Sequence, residues 1–319
     1  MKKILIMIAS FMLLAAGCGK SEAVSSADQK IKVGIMLSDV GLGDQSFSDS
    51  AFAGLVKSRD ELGILFDYRE LEKTGSYEKG ITELVEEGND LVVGLGFMVQ
   101  EDLEKAAKKY PDQQFLLIDA VSESENITSV TFKEDEGSFL AGVVAAMASK
   151  TNTIGFIGGA DVPLINKFAD GFAEGARTIK PEIVIYTEYA NDFGNDIKGG
   201  VMANSMIKRK ADVLYAAAGF TGAGVLKAAQ DSGVYAIGVD SDQYFYAEKA
   251  VVTSMMKNVD IGIFQLLKDY VKKQELPEGH IELGVKDNGV QLAPIRVLSL
   301  TEQQQKTLDQ WKQKLAESN

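Results

Sequence analysis

Short apolar runs alternate with amphipathic helical patterns along almost the whole chain, and that alternation constrains the fold more than any other feature. The runs are "IKVGIML" (31–37), "LFDYREL" (65–71), "DLVVGLG" (90–96), "QFLLID" (114–119), "ITSVTF" (127–132), "TIGFIGG" (153–159), "EIVIYTEY" (182–189), "ADVLYAA" (211–217), "VYAIGVD" (234–240) and "AVVTSMM" (250–256). Helical segments such as "SDSAFAGLVKSRDEL", "SYEKGITELVEEG" and "FADGFAEGARTI" lie between them. Strand and helix in strict succession imply βαβ units and mostly parallel sheets. About ten strands are more than one compact sheet usually holds. The expectation is therefore an α/β fold of two doubly wound parallel-sheet lobes with a ligand cleft between them. The pattern restarts near residue 127, which places residues 31–129 and 240–277 in the N-terminal lobe and residues 130–239 and 278–319 in the C-terminal lobe. Ligands of open parallel sheets bind outside the carboxyl ends of the strands, here where the lobes face each other.

The first residues are set apart from this pattern. Lys2 and Lys3, the apolar "ILIMIASFMLL" and the small residues "AAG" read as a signal peptide over residues 1–17, too short for a membrane span. Cys18 is the only cysteine, at the place where a lipoprotein is cut and lipidated; the plainer alternative is an ordinary signal peptide with an incidental cysteine. Residues 18–30 are small and polar, as a lipid-anchored tether on the outer face of a cell membrane should be. With one cysteine there are no intramolecular disulfides, so the core alone must hold the fold. The formal net charge is −13, and loss of Lys2 and Lys3 makes it more negative still. Such a surface repels phosphate backbones, so no nucleic-acid partner is expected.

The residues after each strand form a short set. Asp39, Asp44, Ser46 and Phe47 follow the first, Gly96 and Phe97 the third, and Asp119 the fourth. "AGFTGAG", with Phe220 and Gly222, follows the eighth, Asp240 and Asp242 the ninth, and Lys257 the tenth. Two aromatics in Gly- and Ser-rich loops of opposite lobes would hold a flat ligand between their faces. Taken singly, each Phe is as easily a plug on its own lobe, and each Asp a helix cap or turn former. Their common place at strand ends favours a site. The glycines of "GFTGAG" permit close backbone approach to a neutral ligand, while their spacing departs from the dinucleotide pattern.

Catalytic signals are poor. The sole histidine, His280, lies in the polar turn "LPEGHIEL", and there is no second histidine, no spare cysteine and no G-x-S-x-G. Carboxylate-only or magnesium chemistry stays open in principle, but no enzyme activity, cofactor or metal is expected. "FKEDEGSFLAG" reads as a solvated helix start. "GFIGGADVPLINKF" reads as a place where glycines let strand and helix pack closely, without a ligand role.

Several of these motifs, in this order, resemble one family. "DVGLGDQSFSDSAFAGL", "FKEDEGSFLAGVVAAM", "IGFIGGADVPLINKFADGFAEGAR" and "IGVDSDQ" are similar to the patterns of the basic membrane protein (BMP) or PnrA-like lipoproteins, over about Ile31 to Pro294. The resemblance implies a type I periplasmic-binding-protein fold and a monomer that delivers purine nucleosides to the permease and ATPase of an ABC importer. It implies that Phe47 and Phe220 stack the purine and that Asp39 bonds the base edge with Asp119 close by. Asp240 and Lys257 would hold the ribose hydroxyls. Gly96, Gly222 and Ser48, which stands where the pattern has Asn, complete the implied contacts. A regulatory protein or a sugar or autoinducer receptor of the same fold is the alternative.

Overall fold

Twelve strands divide equally between two sheets in the computed structural model, which describes residues 30–317. The chain separates into two units, residues 1–30 and residues 31–319, and only Lys30 of the first is described. The signal peptide, Cys18 and nearly all of the tether expected from the sequence lie outside the described residues.

The first sheet holds β1 (Lys32–Met36), β2 (Leu65–Arg69), β3 (Leu91–Leu95), β4 (Gln114–Ile118), β5 (Ile127–Phe132) and β11 (His280–Leu283) in the order β11-β5-β4-β3-β1-β2. The second holds β6 (Thr153–Gly158), β7 (Val184–Tyr189), β8 (Val213–Ala217), β9 (Tyr235–Asp240), β10 (Val251–Lys257) and β12 (Val290–Leu292) in the order β12-β10-β9-β8-β6-β7. The order 5-4-3-1-2 of the first sheet returns as 10-9-8-6-7 in the second, so the two lobes repeat one topology. All pairings are parallel except that of β10 with β12. The ten runs marked in the sequence are β1 to β10. The short β11 and β12 were not expected, because "HIEL" and "VQL" carry too few apolar residues to stand out from a loop.

The chain passes between lobes at Lys133, at Asn258 and through residues 284–289. The expected first boundary at 129 is therefore corrected to 133, since β5 lies whole in the first sheet, and the expected return to the first lobe at residue 240 is corrected to 258. β10 pairs with β9 and stays in the second sheet, and the helix Val259–Lys273 is what crosses back to lie on the helix Phe47–Leu62. A side chain at Gly54 would come within 2.8 Å of the Asp260 backbone, so the glycine sets how closely these helices approach. The residues 278–319 are likewise shared, β11 joining the first sheet and β12 the second.

The helix Glu134–Ala148, opposite in character to an amphipathic surface helix, is buried almost all round, against β10, β12 and the helix Pro163–Ile179. Among the described residues no helix is long and apolar enough to cross a membrane.

Candidate functional site

The loop after β1 is built by two aspartates. The Asp44 carboxylate accepts from the backbone N–H of Ser46 (2.9 Å), Ser48 (2.7 Å) and Asp49 (3.1 Å), and so caps the helix Phe47–Leu62 from outside it. Asp49 accepts from Gly43 (2.8 Å) and Gln45 (3.0 Å). Burial pushes the Asp44 carboxyl up, while the three N–H groups pull it back. The capping that each aspartate of this loop could have served thus falls on Asp44 and Asp49, and Asp39 and Phe47 are left to face the cleft.

A partly open cavity lies between the lobes, lined mainly by apolar surface with a few convergent polar groups, as small-molecule sites are. The first lobe lines it with Asp39, Phe47, Gly96 and Asp119, and the second with Phe168, Phe193, Asp240 and Lys257. Six of these come from the ends of β1, β3, β4, β9 and β10, Phe193 follows β7 and Phe168 lies in the helix Pro163–Ile179; the switch points of the two sheets, between β1 and β3 and between β6 and β8, open onto the cavity. Gly96 has φ +96°, a backbone that side chains rarely adopt.

Three expected contacts do not line the cavity. Phe220 and Gly222 sit in the first turn of the helix Gly219–Ser232, because that helix starts earlier than the glycine-rich stretch suggested. Ser48 is fully buried behind the wall, its hydroxyl 2.7 Å from that of Ser38. The second-lobe aromatics are instead Phe193 and Phe168. Phe193 lies in "NDFGND" just after β7, a Phe in a polar, glycine-bearing loop like that of Phe47, at a strand end the sequence expectations passed over. Its ring covers Gly159, where a Cβ would come within 2.1 Å of it. Leu164, Ile165 and Phe168 of "GFIGGADVPLINKF" also line the cavity, so that motif contributes to the wall as well as to packing.

The charges are deeply buried. Lys257 (2% exposed) pairs across the cleft with Asp119 (6%) and within its own lobe with Glu134 (0%), whose Oε1 is 3.0 Å from the ammonium. The faces of Phe47, Phe132 and Phe168 lie 5.1, 5.1 and 5.6 Å from the same Nζ. Burial pulls the Lys257 ammonium down, and Asp119, Glu134 and Asp240 more than reverse it, so its pKa is raised. Glu134, expected in a solvated helix start, is a core residue because the chain turns inward at Lys133. Its periodic neighbours "FLAGVVAAMA" were the signal, since a helix apolar all round buries its first turn too. Asp240 accepts from the Ser46 hydroxyl of the other lobe and is pushed up to about 6 by burial, against the pull of Lys257 and that hydroxyl. Asp119 and Asp240 both hold left-handed backbone, φ +68° and +62°.

The lobes are latched at the mouth. The Gln45 carbonyl accepts from Gln243 Nε2 (2.9 Å) and the Ser241 hydroxyl (3.4 Å) of the second lobe. Together with Ser46–Asp240 and Asp119–Lys257, these contacts describe a closed cleft.

The family described as ABC transporter substrate-binding protein PnrA-like matches residues 31–318. The chain belongs to this family. The "CD4+ T-cell-stimulating antigen" of Listeria monocytogenes is 32% identical over 326 residues, covering 92% of this chain and 91% of that protein. The "ABC transporter nucleoside-binding protein BmpA" of Lactococcus lactis is 32% identical over 322 residues, 92% of each chain. A solute-binding protein of an ABC transporter system from Aeropyrum pernix shares the fold at a TM-score of 0.82 and 24% identity, over 90% of this chain and 91% of that one. This PnrA-like protein is thus a substrate-binding component of an ABC transporter and not an enzyme, with the two-lobed periplasmic-binding-protein fold expected from its sequence.

Proposed function

We propose that this PnrA-like protein captures purine nucleosides in the cleft and hands them to the permease and ATPase of an importer. It works as a monomer held to the outer face of the cell membrane by a lipid on Cys18. One observation carries the ligand reading: aromatic rings from both lobes and two buried strand-end carboxylates line a single cavity. A flat base fits between Phe47 and the second-lobe Phe193 and Phe168. Asp39 is suited to the donors of the base edge, and Asp240 with Lys257 to the ribose hydroxyls, with Asp119 alongside. Among the described residues the one cation lining the cavity, Lys257, is already countered by Asp119 and Glu134, which favours an uncharged nucleoside over a phosphorylated one. The nucleoside-binding relative from Lactococcus lactis supports the same class.

Melting of the protein, first unfolded and refolded to strip carried-over ligand, tests this against guanosine, inosine, adenosine, cytidine, uridine and ribose. A ligand about 1,000-fold above its dissociation constant adds about 4 kcal/mol of apparent stability. Stabilisation by purine nucleosides is the expected outcome; stabilisation by ribose alone, or by none of them, overturns the proposal.

A further inference from the structure

Glu134 is fully buried at the start of its helix, one residue beyond the first crossing between lobes, and Lys257 ends β10 one residue before the second. Their ion pair therefore ties the two crossing segments side by side within the second lobe. Asp119, the other partner of Lys257, belongs to the first lobe. Its Oδ2 takes the ammonium, while its Oδ1 is buried beside the cavity without a hydrogen-bond partner. Neither Glu134 oxygen has a well-aligned hydrogen bond either, so the ammonium is held there by charge rather than by a directed N–H.

Resting on the reading of the cleft as a nucleoside site, we infer that Glu134 is a positioning residue: it holds the Lys257 ammonium against Asp119 and so leaves Oδ1 of Asp119 for a donor on the ligand. Without Glu134, the ammonium has a single carboxylate and the freedom to turn into the cavity. A buried acceptor with no partner is costly unless a ligand donor fills it, which couples ligand capture to the triad. When the lobes part, Asp119 leaves with the first lobe and Glu134 remains as the partner of Lys257, so the buried cation is never alone.

The triad also predicts proton linkage. Titratable groups facing Glu134 are Lys257 on β10, Asp119 after β4, the buried Tyr215 of β8 and Lys167 on the helix Pro163–Ile179, at 3.9 Å, which also meets Glu282 of β11 at 3.7 Å. In the closed form Glu134 is pushed up to about 7 by burial, opposed by Lys257 and reinforced by Asp119. Opening takes Asp119, one of the raising causes, away with the first lobe and leaves Lys257 beside Glu134, so the carboxyl falls. Closure on a ligand therefore takes up protons near neutral pH, and affinity falls as pH rises through 7.

Titration calorimetry with inosine between pH 6 and 8, in buffers of different ionisation heat, tests the assignment. Wild-type protein is expected to take up part of a proton. Glu134→Gln should bind about tenfold more weakly with a pH slope shallower than wild type around pH 7, the remainder belonging to Asp240, and Glu134→Asp should recover part of the affinity and the pH slope. Unchanged affinity and slope in Glu134→Gln, or equal losses in both variants with the wild-type slope retained, would overturn it. If Glu134→Gln does not fold, absence of proton uptake in wild type overturns it alone. If wild type binds no purine nucleoside, the functional reading fails, and the positioning claim is decided in the ligand-free protein by [15N]lysine spectra. These should show one ammonium resonance protected from exchange, lost in Lys257→Met and unprotected in Glu134→Gln; protection unchanged in Glu134→Gln contradicts the claim.

Discussion

Asp119 and Asp240 occupy the same topological point in the two lobes, at the carboxyl ends of β4 and β9, and both hold left-handed backbone. Their partners differ. Asp119 meets a buried ammonium from the opposite lobe, and Asp240 meets a hydroxyl. A repeated fold thus presents the same side chain twice and lets the facing lobe decide its chemistry. The Asp119 side of the cleft is a matter of compensated charge, whereas the Asp240 side leaves a carboxyl whose burial is only partly offset.

The largest expected effect tests that asymmetry. Lys257→Met strips the cation from Asp119 and Glu134 together, and loss of one partner from a buried pair costs about 3–5 kcal/mol. Urea unfolding should show a loss of that order, and a loss below about 1 kcal/mol would mean that the ion pairs are incidental. Next come the aromatics. Phe47→Ala and Phe193→Ala should each weaken purine nucleosides by about 10- to 100-fold, since stacking on one aromatic is worth about 1–3 kcal/mol. Phe220→Ala should leave affinity unchanged in the same calorimetric titration, and a comparable loss there would restore the expectation drawn from the sequence.

Asp240 supplies the third. Its folded pKa, about 6, lies above the ordinary 3.8. The folded state therefore binds more protons than the unfolded one between those values, and this group's contribution to stability falls as pH rises from 4 to 6. Asp240→Asn should gain stability relative to wild type across that window and hold the gain at higher pH. Paired melting curves from pH 4 to 8 measure it, and a difference independent of pH would contradict the burial argument. Asp240→Ala should also weaken adenosine while sparing adenine; equal losses for the two would remove its ribose role. Ser46→Ala should be the smallest, about 1 kcal/mol for one hydrogen bond. If Ser46→Ala costs as much as Lys257→Met, the contrast between the two sides fails.

Local pattern made most of the fold legible. Ten strands, their succession with helices and the lobe duplication all follow from short apolar runs separated by amphipathic ones. Asp39, Phe47, Asp119, Asp240 and Lys257 were legible as strand-end residues, because a parallel sheet brings strand ends together wherever they fall in the sequence. What escaped depended on tertiary burial. Nothing local distinguishes a charged first turn in water from one folded under at a crossing, so Glu134 looked solvated. Phe220 and Phe193 both follow strands, and only the early start of a helix at Gly219 takes the first away from the cleft. The boundary at 258 escaped because β10 reads as a strand equally well in either sheet.

We propose a closed, acidic cleft that takes a flat, uncharged ligand between aromatic rings. It is tested most directly by titrating the stripped protein with inosine and, separately, with inosine 5′-monophosphate in one calorimetric experiment. The structure predicts one inosine bound per chain and no heat from the monophosphate, whose charge would enter a cavity where Lys257 is already spoken for. Tighter binding of the monophosphate, or no binding of inosine, would contradict it.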